Sequence, residues 1–142
     1  MKNKLILSVV IIIVSMFLFG CLTFEKTNAW LNSQKGVPKI NISGDWDAGS
    51  IFAGWGSAII VQKGNEFYGT LGLYNIKGVI NGDNIYYILT SGSKIYYTGS
   101  LKYTQSGNLE GLAVEKAIVD TEGAVNATKY PLIMKKVDKT KK

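Results

Sequence analysis

The sequence predicts an all-β protein: an antiparallel up-and-down meander of about eight strands that closes into a small barrel, preceded by an N-terminal signal helix. Between Ser57 and Val114, short runs rich in Ile, Val, Tyr and Thr alternate with turns of Gly beside Asn, Asp or Ser, which is typical of antiparallel hairpins. Glycines also interrupt the strands themselves, at Gly69, Gly78, Gly99 and Gly111. Isolated strand glycines often mark bulges or bends at barrel corners, and closure removes exposed sheet edges.

The chain of 142 residues has room for one domain. We divide it into a signal peptide (1–20), a lipidated N-terminus and tether (21–39), a barrel domain (40–137) and a basic tail (138–142).

The N-terminus has the pattern of a secretory signal. Lys2 and Lys4 precede a run, 5–19, that is apolar except for two serines. Counted through Leu22, the run approaches the length that spans a bilayer, so an uncleaved signal anchor is the alternative.

The signal run ends in Leu18-Phe19-Gly20-Cys21, which resembles the bacterial lipobox. The resemblance implies that Cys21 is diacylated, becomes the mature N-terminus, and holds the folded part on the outer side of the cell membrane or at the outer membrane. Cys21 is the only cysteine, so it has no intramolecular disulfide partner. An inert thiol in a signal anchor is the competing interpretation.

The segment 23–39 is polar and lacks sustained periodicity, which favours a tether. Trp30-Leu31 could instead form one turn of amphipathic helix that contacts the membrane or the domain.

The barrel domain opens with Gly44-Asp45-Trp46. This step is similar to the Gly-x-Trp in the first strand of calycin barrels such as lipocalins and avidins. The resemblance implies that the Trp46 indole plugs one end of the barrel; an ordinary core tryptophan would be equally buried.

The alternating pattern predicts eight strands, and the last strand, with Pro131 near its start, should pair with the first. Their ranges are 40–46, 57–63, 66–72, 75–80, 84–90, 94–103, 108–115 and 130–137. The segment 115–128 is predicted to be a loop or a short helix.

The register of the central hairpin depends on its turn. A three-residue loop at 91–93 would pair Tyr87 with Tyr97 and Leu89 with Ile95, which keeps the apolar residues on one face. The inward set would then be Ile95, Tyr97, Gly99, Leu101 and Tyr103. A two-residue turn at Gly92-Ser93 would oppose Ile88 and Tyr97 and mix the faces.

The residue types argue against enzymatic chemistry. Without histidine, and with one cysteine, the chain has neither a Ser-His-Asp arrangement nor a usual zinc set. Asp45 and Asp47 should share the strand face opposite Trp46, and solvated charges are their expected role. We therefore predict no enzyme, no metal and no cofactor.

The basic residues limit the classes of partner that the protein is expected to bind. The net charge is +6, and all 16 basic residues are lysines, whereas base and phosphate recognition usually relies on Arg. We predict no nucleic-acid binding. Six lysines within the last fourteen positions suit an anionic membrane or a solvated tail.

These observations predict a membrane-anchored envelope lipoprotein whose non-enzymatic barrel binds a protein or surface partner. The alternative is a lipocalin-like carrier of a small apolar ligand inside the barrel. The candidate ligand-binding residues are Trp46, Phe52, Trp55, Tyr87 and Tyr97. Phe52 and Trp55 lie in the glycine-containing apolar segment 51–56, which could fold across the barrel mouth, and closure of the barrel bottom is their competing role. For the other three, core packing is the competing role. Large inward tyrosines favour a filled interior.

Overall fold

The computed structural model describes residues 24–49, 54–115 and 127–138. The predicted signal peptide, Cys21, Phe52 and the end of the basic tail lie outside the described residues. Most of the segment predicted to be a loop or short helix before the last strand also lies outside them.

The described chain forms one helix and eight antiparallel strands that close into a barrel in sequence order, which confirms the predicted fold class. The helix, α1, spans 24–33. The strands are β1 (Gly44–Asp47), β2 (Ser57–Lys63), β3 (Glu66–Leu71), β4 (Tyr74–Asn81), β5 (Asn84–Ser91), β6 (Lys94–Tyr103), β7 (Leu109–Glu115) and β8 (Lys129–Lys136).

The barrel closes between β1 and β8, as predicted, through the pairs Trp46 with Lys136 and Asp47 with Lys135. We call the end at which β2, β4, β6 and β8 begin the mouth, and the opposite end the base. The base carries short polar turns between β2 and β3, β4 and β5, and β6 and β7.

The first strand is shorter than predicted because residues 40–43 do not pair with a neighbouring strand. The Gln62 side chain takes that role: the Ile42 backbone N–H donates to Gln62 Oε1 at 2.8 Å, and Gln62 Nε2 donates to the Ile40 carbonyl at 3.1 Å. A side-chain amide can mimic a strand backbone in this way, but strand periodicity alone does not reveal it.

Inward-facing side chains form one continuous core along the barrel. Its largest fully buried members are Trp46, Tyr87, Ile42, Leu71, Ile80, Ile85, Leu89, Leu109, Leu132 and Met134.

The predicted register of the central hairpin is wrong. Ser91 pairs with Lys94 across a two-residue turn, but the register then shifts between Leu89 and Thr90, so that Leu89 opposes Tyr97. One extra residue in β6 thus restores the apolar face that the short turn would have disrupted. The same shift turns Ile95 outward, whereas Tyr97, Gly99 and Leu101 are buried as expected.

The bulge hypothesis expected the strand glycines to interrupt the strand pairing. They do not interrupt it. Gly78 and Gly99 each oppose an aromatic residue, Phe67 and Tyr87 respectively. A Cβ at either glycine would collide with the opposing ring. These glycines therefore make space for inward rings.

Helix α1 covers part of the outer barrel wall. Leu31 is 5% exposed and packs with Val79 and Ile88, and the partly buried residues Trp30, Tyr86 and Ile95 surround this cluster. Residues that we had placed in the tether are thus helical, and their apolar side chains contact the domain. Sequence periodicity misses the helix because its buried stripe is narrow.

Within the described ranges, no helix is both long and apolar enough to cross a bilayer.

Candidate functional site

The mouth carries a cluster of five aromatic side chains, which we call the mouth cluster: Trp55, Tyr74, Tyr96, Tyr97 and Tyr130. The ring centroids of neighbouring members lie 5.5 to 6.3 Å apart. Most pairs meet edge to face, the arrangement that the ring quadrupoles favour.

The local fold brings these residues together. Tyr74 and Tyr130 stand near the starts of β4 and β8, and strand alternation turns them to the side of Ile76 and Leu132, which are buried. Tyr96 is the extra residue of the β6 irregularity, and it packs on Tyr74 at 5.5 Å between centroids.

Trp55 precedes β2 in a loop that is held at both sides. The Ala48 N–H donates to the Gly56 carbonyl at 2.9 Å, and the Leu73 N–H donates to the Gly54 carbonyl at 3.0 Å. The loop thereby presses the indole into the barrel end, where it is 6% exposed.

The buried indole N–H of Trp55 has no hydrogen-bond acceptor among the described residues. A buried donor without an acceptor costs about 1–3 kcal/mol. An acceptor atom supplied from outside the described residues, such as a ligand oxygen, would remove this cost.

The environment of Tyr97 favours its neutral form. Burial, the neighbouring Tyr74 with its hydrogen bond, Tyr130 and the Glu115 carboxylate together raise the pKa of Tyr97 to about 12. Its phenol therefore keeps its proton at neutral pH and can donate or accept a hydrogen bond.

The cluster combines apolar ring surface with uncharged hydroxyl and indole groups. Tyr74, Tyr96 and Tyr130 are only partly buried, so some of this surface is accessible. Such a site can hold a partner that offers both apolar atoms and hydrogen-bond acceptors.

The structure separates the predicted ligand-binding residues into two groups. Trp55 and Tyr97 meet in the mouth cluster, with centroids 6.1 Å apart. Trp46 and Tyr87 lie in the core, 1% and 0% exposed. Phe52 lies outside the described residues.

Trp46 and Tyr87 already use their polar atoms within the chain. Trp46 Nε1 donates to the Ile42 carbonyl at 2.9 Å, and the Lys136 ammonium lies 5.4 Å from the centroid of the Trp46 ring system. The Tyr87 hydroxyl donates to the Leu112 carbonyl at 3.0 Å, and burial raises its pKa strongly. Both are architectural residues, and Trp46 is buried as both interpretations of the Gly-x-Trp step required.

Asp45 and Asp47 flank the buried Trp46 and lie on the opposite face, as predicted. Asp47 Oδ1 accepts a hydrogen bond from the Gly49 N–H at 2.9 Å, a local turn interaction. In the part of the chain that the structure describes, no three residues of the types His, Cys, Asp or Glu are grouped to hold a metal.

Sequence reasoning missed Tyr74, Tyr96 and Tyr130 as site residues. Period-2 alternation from Ile76 and Leu132 would have placed Tyr74 and Tyr130 inward. Tyr96 joins the mouth cluster only because of the β6 irregularity, and no local sequence pattern predicts that irregularity.

A second concave feature lies on the outer wall, beside α1. This groove of about 300 Å³ is lined by Trp30, Tyr86, Thr98, Gly99, Ser100, Leu112, Val114 and Lys129.

No protein-family model, curated protein or solved structure matches the chain.

Proposed function

We propose that this protein is a lipid-anchored lipoprotein of the cell envelope, and that its barrel is a non-enzymatic binding module which contacts its partner through the mouth cluster. The observation that carries the proposal is the concentration of partly exposed tyrosines around a buried indole N–H, at one barrel end, that has no acceptor within the ranges that the structure describes. The base, in contrast, ends in short polar turns.

The packed core favours this function over the carrier. A carrier needs inward side chains that line a space, whereas Tyr87, Trp46 and Met134 are fully buried in one continuous cluster. Their volume occupies the barrel axis, which leaves the mouth as the better place for recognition.

Support for anchoring comes from the sequence. The apolar run 5–19 and the lipobox-like step before Cys21 precede the described chain by only a few residues. Two or three acyl chains would hold the protein stably on a membrane.

Substitution at Cys21 tests the anchor. In the full chain, Cys21→Ser should abolish acylation, seen by mass spectrometry, and release the protein from the membrane fraction. Ser15→Ala, in the same apolar run, is the matched control and should remain acylated. An unacylated wild-type protein contradicts the proposal, and retention of Cys21→Ser indicates a signal anchor.

Recognition at the mouth is tested with a pair of tyrosine variants. A molecule that co-purifies with the full chain from its host should be lost from Tyr96→Ala and kept by Tyr103→Ala, because Tyr103 ends β6 at the base. Equal retention by both variants would exclude the mouth as the binding surface.

A further inference from the structure

The direction in which α1 runs along the barrel indicates which barrel end lies nearer to the proposed anchor. Near its start, the ring of Phe24 faces the Lys77 ammonium, which also contacts the Asn28 side chain. About one helical turn after Asn28, Leu31 packs against Val79.

The chain then continues towards the base. The Gly36 N–H donates to the Ile80 carbonyl at 3.2 Å, and Pro38 forms a parallel bridge with Gly82. The segment from α1 onwards therefore runs alongside β4 from the middle of that strand, at Lys77, towards the base. Phe24 lies at the end of the segment that is nearer the mouth.

The distance to the lipid-attachment residue is short. Cys21 lies three residues before Phe24, so at most about 11 Å of extended chain separates them. A membrane that held acyl chains on Cys21 would thus lie close to the mouth side of the barrel.

The two barrel ends differ in their suitability for a lipid surface. Trp and Tyr are the side chains that concentrate at membrane interfaces, because their rings are apolar and their tips are polar. The mouth cluster has five of them, of which Tyr74, Tyr96 and Tyr130 are partly exposed, and next to them Leu73, in the turn before β4, is 79% exposed. The base turns consist of polar residues such as Asn65, Asp83 and Gln105, and the exposed apolar residue at this end, Val37 beside Gly82, is not accompanied by an aromatic cluster among the described residues.

The positive charge at the mouth also suits contact with an anionic lipid surface. Lys94 and Lys129 are the exposed first residues of β6 and β8, and the Lys94 ammonium lies 4.7 Å from the centroid of the Tyr96 ring. Lysines near a membrane surface are attracted to anionic headgroups by about 1 kcal/mol each.

We propose that the mouth of the barrel rests on the headgroup layer of the anionic membrane that carries the anchor, with Leu73, Tyr96, Lys94 and Lys129 in contact with lipid. This inference rests on the proposed anchoring at Cys21, and it names the partner of the mouth as the lipid surface. The base then points away from the membrane.

Amine labelling of the full-length acylated protein tests the orientation. The protein is reconstituted in vesicles of phosphatidylcholine with phosphatidylglycerol, and lysine acetylation is followed by mass spectrometry against a detergent sample. Acetylation of Lys94 and Lys129 should be several-fold slower on vesicles. Lys63 and Lys102, exposed near the base, are the internal controls and should react equally in both samples.

Charge reversal provides a second measurement. Lys94→Glu should restore rapid acetylation of Lys129 on these vesicles, whereas Lys63→Glu should not. Protection of the base lysines, or equal labelling of both ends on vesicles that the protein binds through acylated Cys21, would overturn the orientation while leaving the anchor intact. Absence of an acyl group on Cys21 would instead overturn the proposed function, and this inference with it.

Discussion

The ring of Tyr87 lies against Gly99 on the neighbouring strand, so that a methyl group at position 99 would stand 2.6 Å from the Tyr87 hydroxyl. Past this glycine, the hydroxyl donates to the Leu112 carbonyl of β7. One side chain thus joins three consecutive strands and fills the barrel interior at the same time.

Gly99→Ala should therefore lower the free energy of unfolding by about 1–3 kcal/mol, because the added methyl group would collide with the Leu112 backbone carbonyl oxygen and with the Tyr87 ring. Urea unfolding of the full chain measures the effect. Ser100→Ala, exposed and adjacent, is the control and should change stability little. An unchanged Gly99→Ala midpoint would contradict the proposed role of the glycine.

The same tryptophan substitution should have different effects at two positions. Trp46→Phe removes a buried hydrogen bond and leaves the Ile42 carbonyl unpaired, whereas Trp55→Phe removes a donor that has no acceptor among the described residues. We expect Trp46→Phe to cost about 1 kcal/mol more than Trp55→Phe, measured by chemical unfolding. If Trp55→Phe is the costlier of the two, an acceptor for Trp55 exists within the chain.

Titration should detect the environment of Tyr97. The pKa of its phenol is about 12, against about 10 for an ordinary tyrosine. Ultraviolet difference spectra of the full chain should lose a transition near this pH in Tyr97→Phe. Tyr68→Phe, on the exposed outer wall, is the control and should leave the transition near pH 12 in place.

The same shift has a consequence for stability. Because the folded state holds the Tyr97 proton more tightly than the unfolded chain does, the contribution of Tyr97 is fully present below pH 10 and is lost as the pH rises towards 12. Unfolding midpoints across this interval should fall less steeply in Tyr97→Phe than in the wild type. Parallel pH profiles would argue that Tyr97 is not shielded in the folded state.

Docking of α1 depends on Leu31. Leu31→Ala should lower the free energy of unfolding, or the free energy of releasing the helix, by about 2 kcal/mol, because Leu31 is 5% exposed against Val79 and Ile88. Hydrogen exchange of the helix amides distinguishes a loss of global stability from release of the helix alone. Leu73→Ala is the matched control, since Leu73 is 79% exposed and its loss should affect neither measurement.

Much of the barrel follows from local sequence. Apolar alternation and glycine turns predicted the number and order of the strands because each hairpin is encoded by adjacent residues. The register of β5 and β6 was missed because a short turn and the extra residue Tyr96, which follows it closely, compensate each other, as the shift at Leu89 and Thr90 shows. Either feature alone would have exposed the apolar face.

The candidate site was less predictable. Trp55 was named because it lies in a glycine-flanked apolar segment that could fold across the barrel mouth, and Tyr97 because a tyrosine ring can orient a ligand. Trp46 and Tyr87 were candidates too, but they serve the core. The two core residues differ from the two mouth residues in that their polar atoms donate to backbone carbonyls, as Tyr87 does to Leu112. Such a contact depends on tertiary packing. Helix α1 was missed for a similar reason, since its buried contacts are supplied by strands far along the chain.

The junction of β1 and β8 rests on the fewest pairings in the described wall, Trp46 with Lys136 and Asp47 with Lys135, supplemented by the Val137 N–H on the Asp45 carbonyl. Thermal fluctuations should part the cylinder along this seam before any other, and amide protons there should exchange with solvent first. A transiently opened seam would present two unpaired strands side by side, which makes it the place where one molecule could exchange a terminal strand with another.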